Sequence, residues 1–126
     1  MSSSEPSRPL VGLVTDDLLF RSRVVAGLEG QADLVTVRLG ALPDGLVLLL
    51  VDLNRRPEER IAGLSMGGGA GLEIICFGPH TEMAELSPRA RAAGATRCVA
   101  NSHLAETLQR WLRSATAKPS RAGGQP

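Results

Sequence analysis

Leu46-Val-Leu-Leu-Leu-Val-Asp52 is a run of six apolar residues closed by a carboxylate, and its reading decides the fold. A strand with one face in solvent alternates apolar and polar residues. A strand covered on both faces does not, and such continuous runs suit the centre of a parallel sheet. The stretch therefore reads as a central strand with helices on either side, and it places Asp52 at the strand's carboxyl end.

Upstream, Leu10 to Thr15 (LVGLVT) is a second short apolar run, ended by Asp16-Asp17. Phe20, Val24 and Leu28 follow at a spacing of four, flanked by Val25, which predicts a helix stopped at Gly30. Asp33 to Leu39 (DLVTVRL) alternates and is β-branched, so it reads as a strand. Pro43 and Asp44-Gly45 make 40–45 a loop, which leaves the second helix reduced or absent.

Downstream, Pro57 suits the first position of a short helix running to about Leu64. Gly67 to Gly71 (GGGAG) is a flexible connector. It lacks the Lys-Ser/Thr of a phosphate-binding loop. Leu72 to Phe77 is another apolar strand, ended by Gly78-Pro79. Thr81 to Ala93 has a helical pattern with a candidate break at Ser87-Pro88 and a stop at Gly94. Arg97 to Ala100 is a last strand. Leu104, Leu108, Trp111 and Leu112 mark an amphipathic final helix.

Alternating strands and helices imply a parallel sheet with right-handed crossovers. The expected class is α/β: a flavodoxin-like three-layer sandwich with a five-stranded parallel sheet of order 2-1-3-4-5. Residues 9–115 form the domain. The polar stretches 1–8 and 116–126 are expected to be a disordered lead and tail.

Composition narrows the function. The 126 residues are 43% hydrophobic and 21% charged, ordinary for a globular chain. Aromatics are scarce: Phe20, Phe77, Trp111 and no Tyr. Stacking platforms for single-stranded nucleic acid are therefore missing, and no nucleic-acid partner is expected. Met1 to Pro9 lacks the apolar stretch of an export signal, and the longest apolar run is far too short to span a bilayer. The expected location is the cytoplasm, away from the membrane. Cys76 and Cys98 are too few for a disulfide framework, and buried thiols are the default reading. The net charge of +1 hides an asymmetry: residues 89–126 hold seven basic side chains against one acidic. That segment is either a solvated surface or a face for an acidic partner.

In open α/β sheets, ligands bind outside the carboxyl ends of the strands. There stand Asp16 and Asp17 after the first strand, Asp52 after the third, Gly78 after the fourth and Asn101 after the fifth. Three carboxylates at one edge would repel one another without a cation. Oxygen ligands suit Mg²⁺, with Asp52 as nucleophile toward a phosphoryl group. A plainer reading has Asp16 or Asp17 capping the first helix. His80 and His103 should lie at the same edge, but their spacing fits no zinc pattern.

VTDDLLFRSRVVAGLE (14–29), LLLVDLN (48–54) and RAAGATRCVANS (91–102) together resemble the response-regulator receiver (CheY-like) family, over about residues 9–115. The resemblance implies a metal site of Asp16, Asp17, Asp52 and the backbone carbonyl of Asn54, with Asp52 as the phospho-acceptor. It also implies a partner surface on the fourth helix, fifth strand and fifth helix, here carrying Arg89, Arg91, Arg97, Arg110 and Arg113.

The departures point the other way. The family's hydroxyl after the fourth strand is replaced by Gly78, its Lys after the fifth strand by Asn101, and its aromatic switch by Cys98. Losing a charged hydrogen bond costs roughly 1.5–3 kcal/mol, and Ser102 or Thr81 would substitute only if the loops bring them in. The expected function is a stand-alone atypical receiver, a pseudo-receiver. It would act in signal transduction by binding a kinase or output protein, as a monomer or homodimer, and would not be an enzyme. The alternatives are a competent phosphorelay receiver using Asp52 and Mg²⁺, and an unrelated flavodoxin-like small-molecule-binding protein.

Overall fold

A computed structural model describes residues 8–67 and 71–124, with side chains through Ala115. The chain runs β1 (Leu10–Val14), α1 (Leu18–Leu28), β2 (Asp33–Thr36), β3 (Leu46–Asp52), α2 (Pro57–Ser65), β4 (Glu73–Gly78), α3 (His80–Ala92), β5 (Arg97–Ala100) and α4 (Leu104–Gly124). A single 3₁₀ turn, Asn101–His103, precedes α4. The sheet order is β2-β1-β3-β4-β5, and every pairing is parallel. This is the expected flavodoxin-like order.

β3 is central, and Leu48, Leu49, Leu50 and Val51 are wholly buried. Alternate side chains of a strand point to opposite faces, so β3 feeds two cores. Leu48 and Leu50 join Phe77, with Phe20, Val24 and Leu28 of α1 and Leu104, Leu108 and Leu112 of α4. Leu49 and Val51 join Ile74 and Cys76, with Ile61 and Leu64 of α2 and Met83, Leu86 and Ala90 of α3. The helices α1 and α4 thus form one outer layer, and α2 and α3 the other.

Residues 37–45 connect β2 to β3 without a helix, as the turn residues predict. Val37, Leu39 and Leu42 pack on the α2–α3 core in place of a helical stripe. Gly63 permits this approach: a Cβ there would lie 2.9 Å from Leu39 Cδ1.

Three local expectations need correction. Val25 does not share the apolar stripe of α1; it is 47% exposed, and Gly27 instead faces α4, where Leu108 closes over it. β2 stops at Thr36, because after Val37 donates to the Leu13 carbonyl the chain folds into an Arg38–Ala41 bridge. α3 runs unbroken through Pro88. Proline removes one donor and crowds the carbonyl four residues back; here Ala84 and Pro88 both lie on the exposed side, where water can take that carbonyl.

The expected lead, 1–8, lies outside the described residues except for Arg8. The expected tail, 116–126, coincides with the part of α4 beyond the described side chains and with residues 125–126. Within the connector 67–71, residues 68–70 are likewise outside the description.

Candidate functional site

Parallel pairing aligns the carboxyl ends of β1, β3, β4 and β5 at one edge, and the residues singled out from the sequence converge there. Asp52 ends β3 and is only 1% exposed. A buried carboxylate requires partners, and it has them on both oxygens. Oδ2 accepts the Thr15 hydroxyl at 2.6 Å. Oδ1 accepts the Asn54 main-chain N–H at 2.8 Å and its side-chain amide at 2.7 Å. Bonds of this charge-assisted kind are shorter and stronger than neutral ones.

The cation at this centre is Arg60, from the first turns of α2. Its side chain is 8% exposed. Nη1 donates to the Asp52 main-chain oxygen at 2.7 Å and lies 4.0 Å from Asp52 Oδ2. Nη2 donates to Asp16 Oδ2 at 3.0 Å. Arg56 adds a second, looser contact to Asp16 at 3.6 Å. Arg56 itself takes a left-handed backbone, φ 54°, as the residue before Pro57 at the start of α2.

Asp17 serves as the cap foreseen in the plainer reading. Its Oδ1 accepts the Leu19 N–H at 2.8 Å at the N-terminus of α1, and its own N–H donates to Thr15 Oγ1. The three carboxylates are therefore near in the fold but turned to different tasks. Among the described residues, no group of three His, Cys, Asp or Glu side chains is gathered to hold a metal ion. His80 and His103 are exposed. As arranged, these residues do not fit a Mg²⁺ ion: the Arg60 guanidinium lies between Asp16 and Asp52, where the cation would be needed.

Asn101, at the end of β5, does not reach Asp52. It exchanges two side-chain hydrogen bonds with Asn54: Asn54 Nδ2 to Asn101 Oδ1 at 3.0 Å, and Asn101 Nδ2 to Asn54 Oδ1 at 2.7 Å. This amide pair ties the end of β5 to the Asp52 network. Ser102 and Thr81, the donors suggested by sequence proximity, are exposed, and neither is a partner of Asp52. Gly78 is closed off. A Cβ there would meet Met83 Sδ at 2.8 Å and Leu53 Cβ at 3.5 Å, so Met83 occupies the space a hydroxyl-bearing side chain would need.

Sequence reasoning missed Thr15, Arg60 and the amide role of Asn54. Thr15 carried a usable signal, being the polar end of the β1 run directly before the acidic pair. Arg60 carried one only in helical phase: three residues after Pro57 and one before Ile61, it lies against the core edge.

No protein-family model and no curated relative matches the sequence. Solved structures do. A response regulator from Thermotoga maritima superposes with a TM-score of 0.68 at 14% identity, covering 88% of this chain and 99% of that one. The fold is that of a receiver domain. Full-length FixJ from B. japonicum gives a TM-score of 0.67 at 16% identity over 91% of this chain, which spans 62% of FixJ. The phosphorylated cyanobacterial phytochrome response regulator RcpA gives 0.61 at 13% identity, over 86% of this chain and 91% of that one.

On this receiver fold the five arginines of the expected partner face fall on α3 (Arg89, Arg91), β5 (Arg97) and α4 (Arg110, Arg113). Both helices pack against β5, an edge strand. Arg89 pairs with Glu58 and Glu85, and Arg110 with Glu106. Among the described residues, no helix is long and apolar enough to cross a membrane.

Proposed function

We propose that this receiver fold works as a pseudo-receiver: a signal-transduction module that binds another signalling protein and does not use Asp52 as an efficient phosphoryl acceptor. The observation carrying this reading is the closed state of Asp52. Phosphoryl transfer requires one Oδ to attack phosphorus in line, with a cation neutralising the developing charge. Here Oδ1 holds two donors, Oδ2 holds the Thr15 hydroxyl, and the nearby cation is a guanidinium already bound to Asp16. Freeing one oxygen breaks at least one charge-assisted bond, at about 1.5–3 kcal/mol each. Each 1.4 kcal/mol added to a barrier slows it about tenfold.

The partner surface is the α3–β5–α4 face, and the partner a kinase or an output protein. Arg89 and Arg110 are paired within the domain, so recognition there depends on shape as well as on the basic count.

The test is incubation with acetyl phosphate and Mg²⁺ followed by intact-mass measurement. The expected result is an unmodified chain. A phosphoryl adduct that disappears in Asp52→Asn favours instead a competent phosphorelay receiver.

A further inference from the structure

Cys76 and Cys98 stand directly opposite each other in the register of β4 and β5. Neighbouring parallel strands lie about 4.8 Å apart, within the span of about 4.4–6.8 Å between Cα atoms that a disulfide bridges. Residues paired in register project to the same face, and both cysteines pack into the core beneath α3. Cys76 has no exposed surface, whereas Cys98 is half-buried and reachable from solvent. The two thiols are free.

We propose that Cys76 and Cys98 form a reversible thiol–disulfide site, closed by a peroxide-class oxidant that reaches Cys98 first. The roles follow from the surroundings. The Cys76 thiol donates toward Cys98 and holds it down to about 6, with Ser87 and Arg91 acting in the same direction against burial. Cys76 is pushed up by the same contact and by burial, so it keeps its proton. The thiolate is the nucleophile of sulfur chemistry, so Cys98 attacks and Cys76 resolves.

The step balances as follows. The Cys98 thiolate attacks one oxygen of hydrogen peroxide, the O–O bond breaks, and hydroxide leaves to become water. Cys98 is now a sulfenic acid. The Cys76 sulfur attacks the Cys98 sulfur, the S–S bond forms and the S–O bond breaks. The departing hydroxide takes the Cys76 proton as a second water. Two thiols are oxidised and one peroxide is reduced.

The site has a route outward. As a thiol Cys98 Sγ donates to the Ser87 carbonyl in α3 at 3.8 Å, and as a thiolate it attracts Arg91. Closing the disulfide removes both contacts, on the face proposed for the partner. The proposal stands whether or not Asp52 accepts phosphate.

The test treats the folded full chain with hydrogen peroxide, alkylates the remaining thiols, and reads intact mass and peptide linkage. The expected product is a monomer lighter by two hydrogens, with a Cys76–Cys98 linked peptide and full reversal by dithiothreitol. Cys76→Ser should stop at a Cys98 sulfenic acid trapped by dimedone, and Cys98→Ser should leave Cys76 unmodified. Three results overturn the proposal: Cys98 advancing to sulfinic acid while Cys76 remains a free thiol, a disulfide joining two chains, or a linked peptide that forms only after denaturation.

Discussion

The guanidinium of Arg60 donates to the main-chain oxygen of Asp52 at 2.7 Å, placing a buried side-chain cation beside the carboxylate at the end of the central strand. The same guanidinium binds Asp16 at 3.0 Å. One arginine therefore holds together two of the three acidic positions that a receiver-like reading assigns to a metal.

Replacing Arg60 with Ala leaves Asp52 buried without its cation. Removing one member of a buried pair costs about 3 kcal/mol or more, so thermal unfolding should shift down by several degrees. With the guanidinium gone, the carboxylates become available to a hard cation, and Mg²⁺ should raise the melting temperature of Arg60→Ala while leaving the native chain unchanged. Equal response of both proteins to Mg²⁺ would refute the assignment.

Asn54 and Asn101 act as a unit. Asn54→Ala removes the side-chain amide donor from Asp52 as well as the amide pair, whereas Asn101→Ala removes only the pair. The main-chain N–H remains in Asn54→Ala, which limits its loss to about 2 kcal/mol. In a double-mutant cycle by denaturant unfolding, the two should couple by about 1 kcal/mol. Additive losses would show that the pair carries no energy of its own.

Restoring the missing hydroxyl runs into Met83. Gly78→Thr places its Cβ within 2.8 Å of Met83 Sδ. Because Met83 is unbranched and can turn aside, the cost should be about 1 kcal/mol. Combined with Met83→Ala, the threonine fills part of the space vacated, and the double variant should be more stable than the sum of the singles.

Cys98 should react as a thiolate at neutral pH. Its folded value of about 6 lies below the ordinary 9.0, so the charged form predominates above about 6 and is lost on acidification. The rate of alkylation by iodoacetamide should therefore be level near neutrality and fall as pH is lowered through about 6. An inflection near 9 would contradict the assignment. Arg91→Ala should move the inflection upward.

The layer order was legible in the sequence because it rests on strand-length apolar runs. Leu46–Val51 identified the centre, and the turn residues at 40–45 showed where a helix was lost. Details that depend on which face a residue takes were not legible. Val25 is adjacent in sequence to the α1 stripe, but one step of helix rotation carries it to solvent. Pro88 reads as a break, yet α3 runs through it with Pro88 and Ala84 both on the exposed side, where water can take the orphaned carbonyl. At the site, Asp16, Asp17 and Asp52 were found by their position at strand ends and Asp17 was foreseen as a helix cap, but the tasks of Asp16 and Asp52 were not. Those tasks are set by Arg60, which lies 44 residues from Asp16, and by Thr15, 37 residues from Asp52. Pairings at that range leave no periodic trace in a single sequence.

The closed state of Asp52 is tested most directly by titrating the folded chain with beryllofluoride and Mg²⁺ while following the amide resonances of Thr15, Asp52, Asn54 and Asn101. The account predicts that these resonances do not move, because both carboxylate oxygens are engaged and Arg60 occupies the place of the cation. Saturable shifts at these four residues, abolished in Asp52→Asn, would contradict it and show a phosphate-competent receiver.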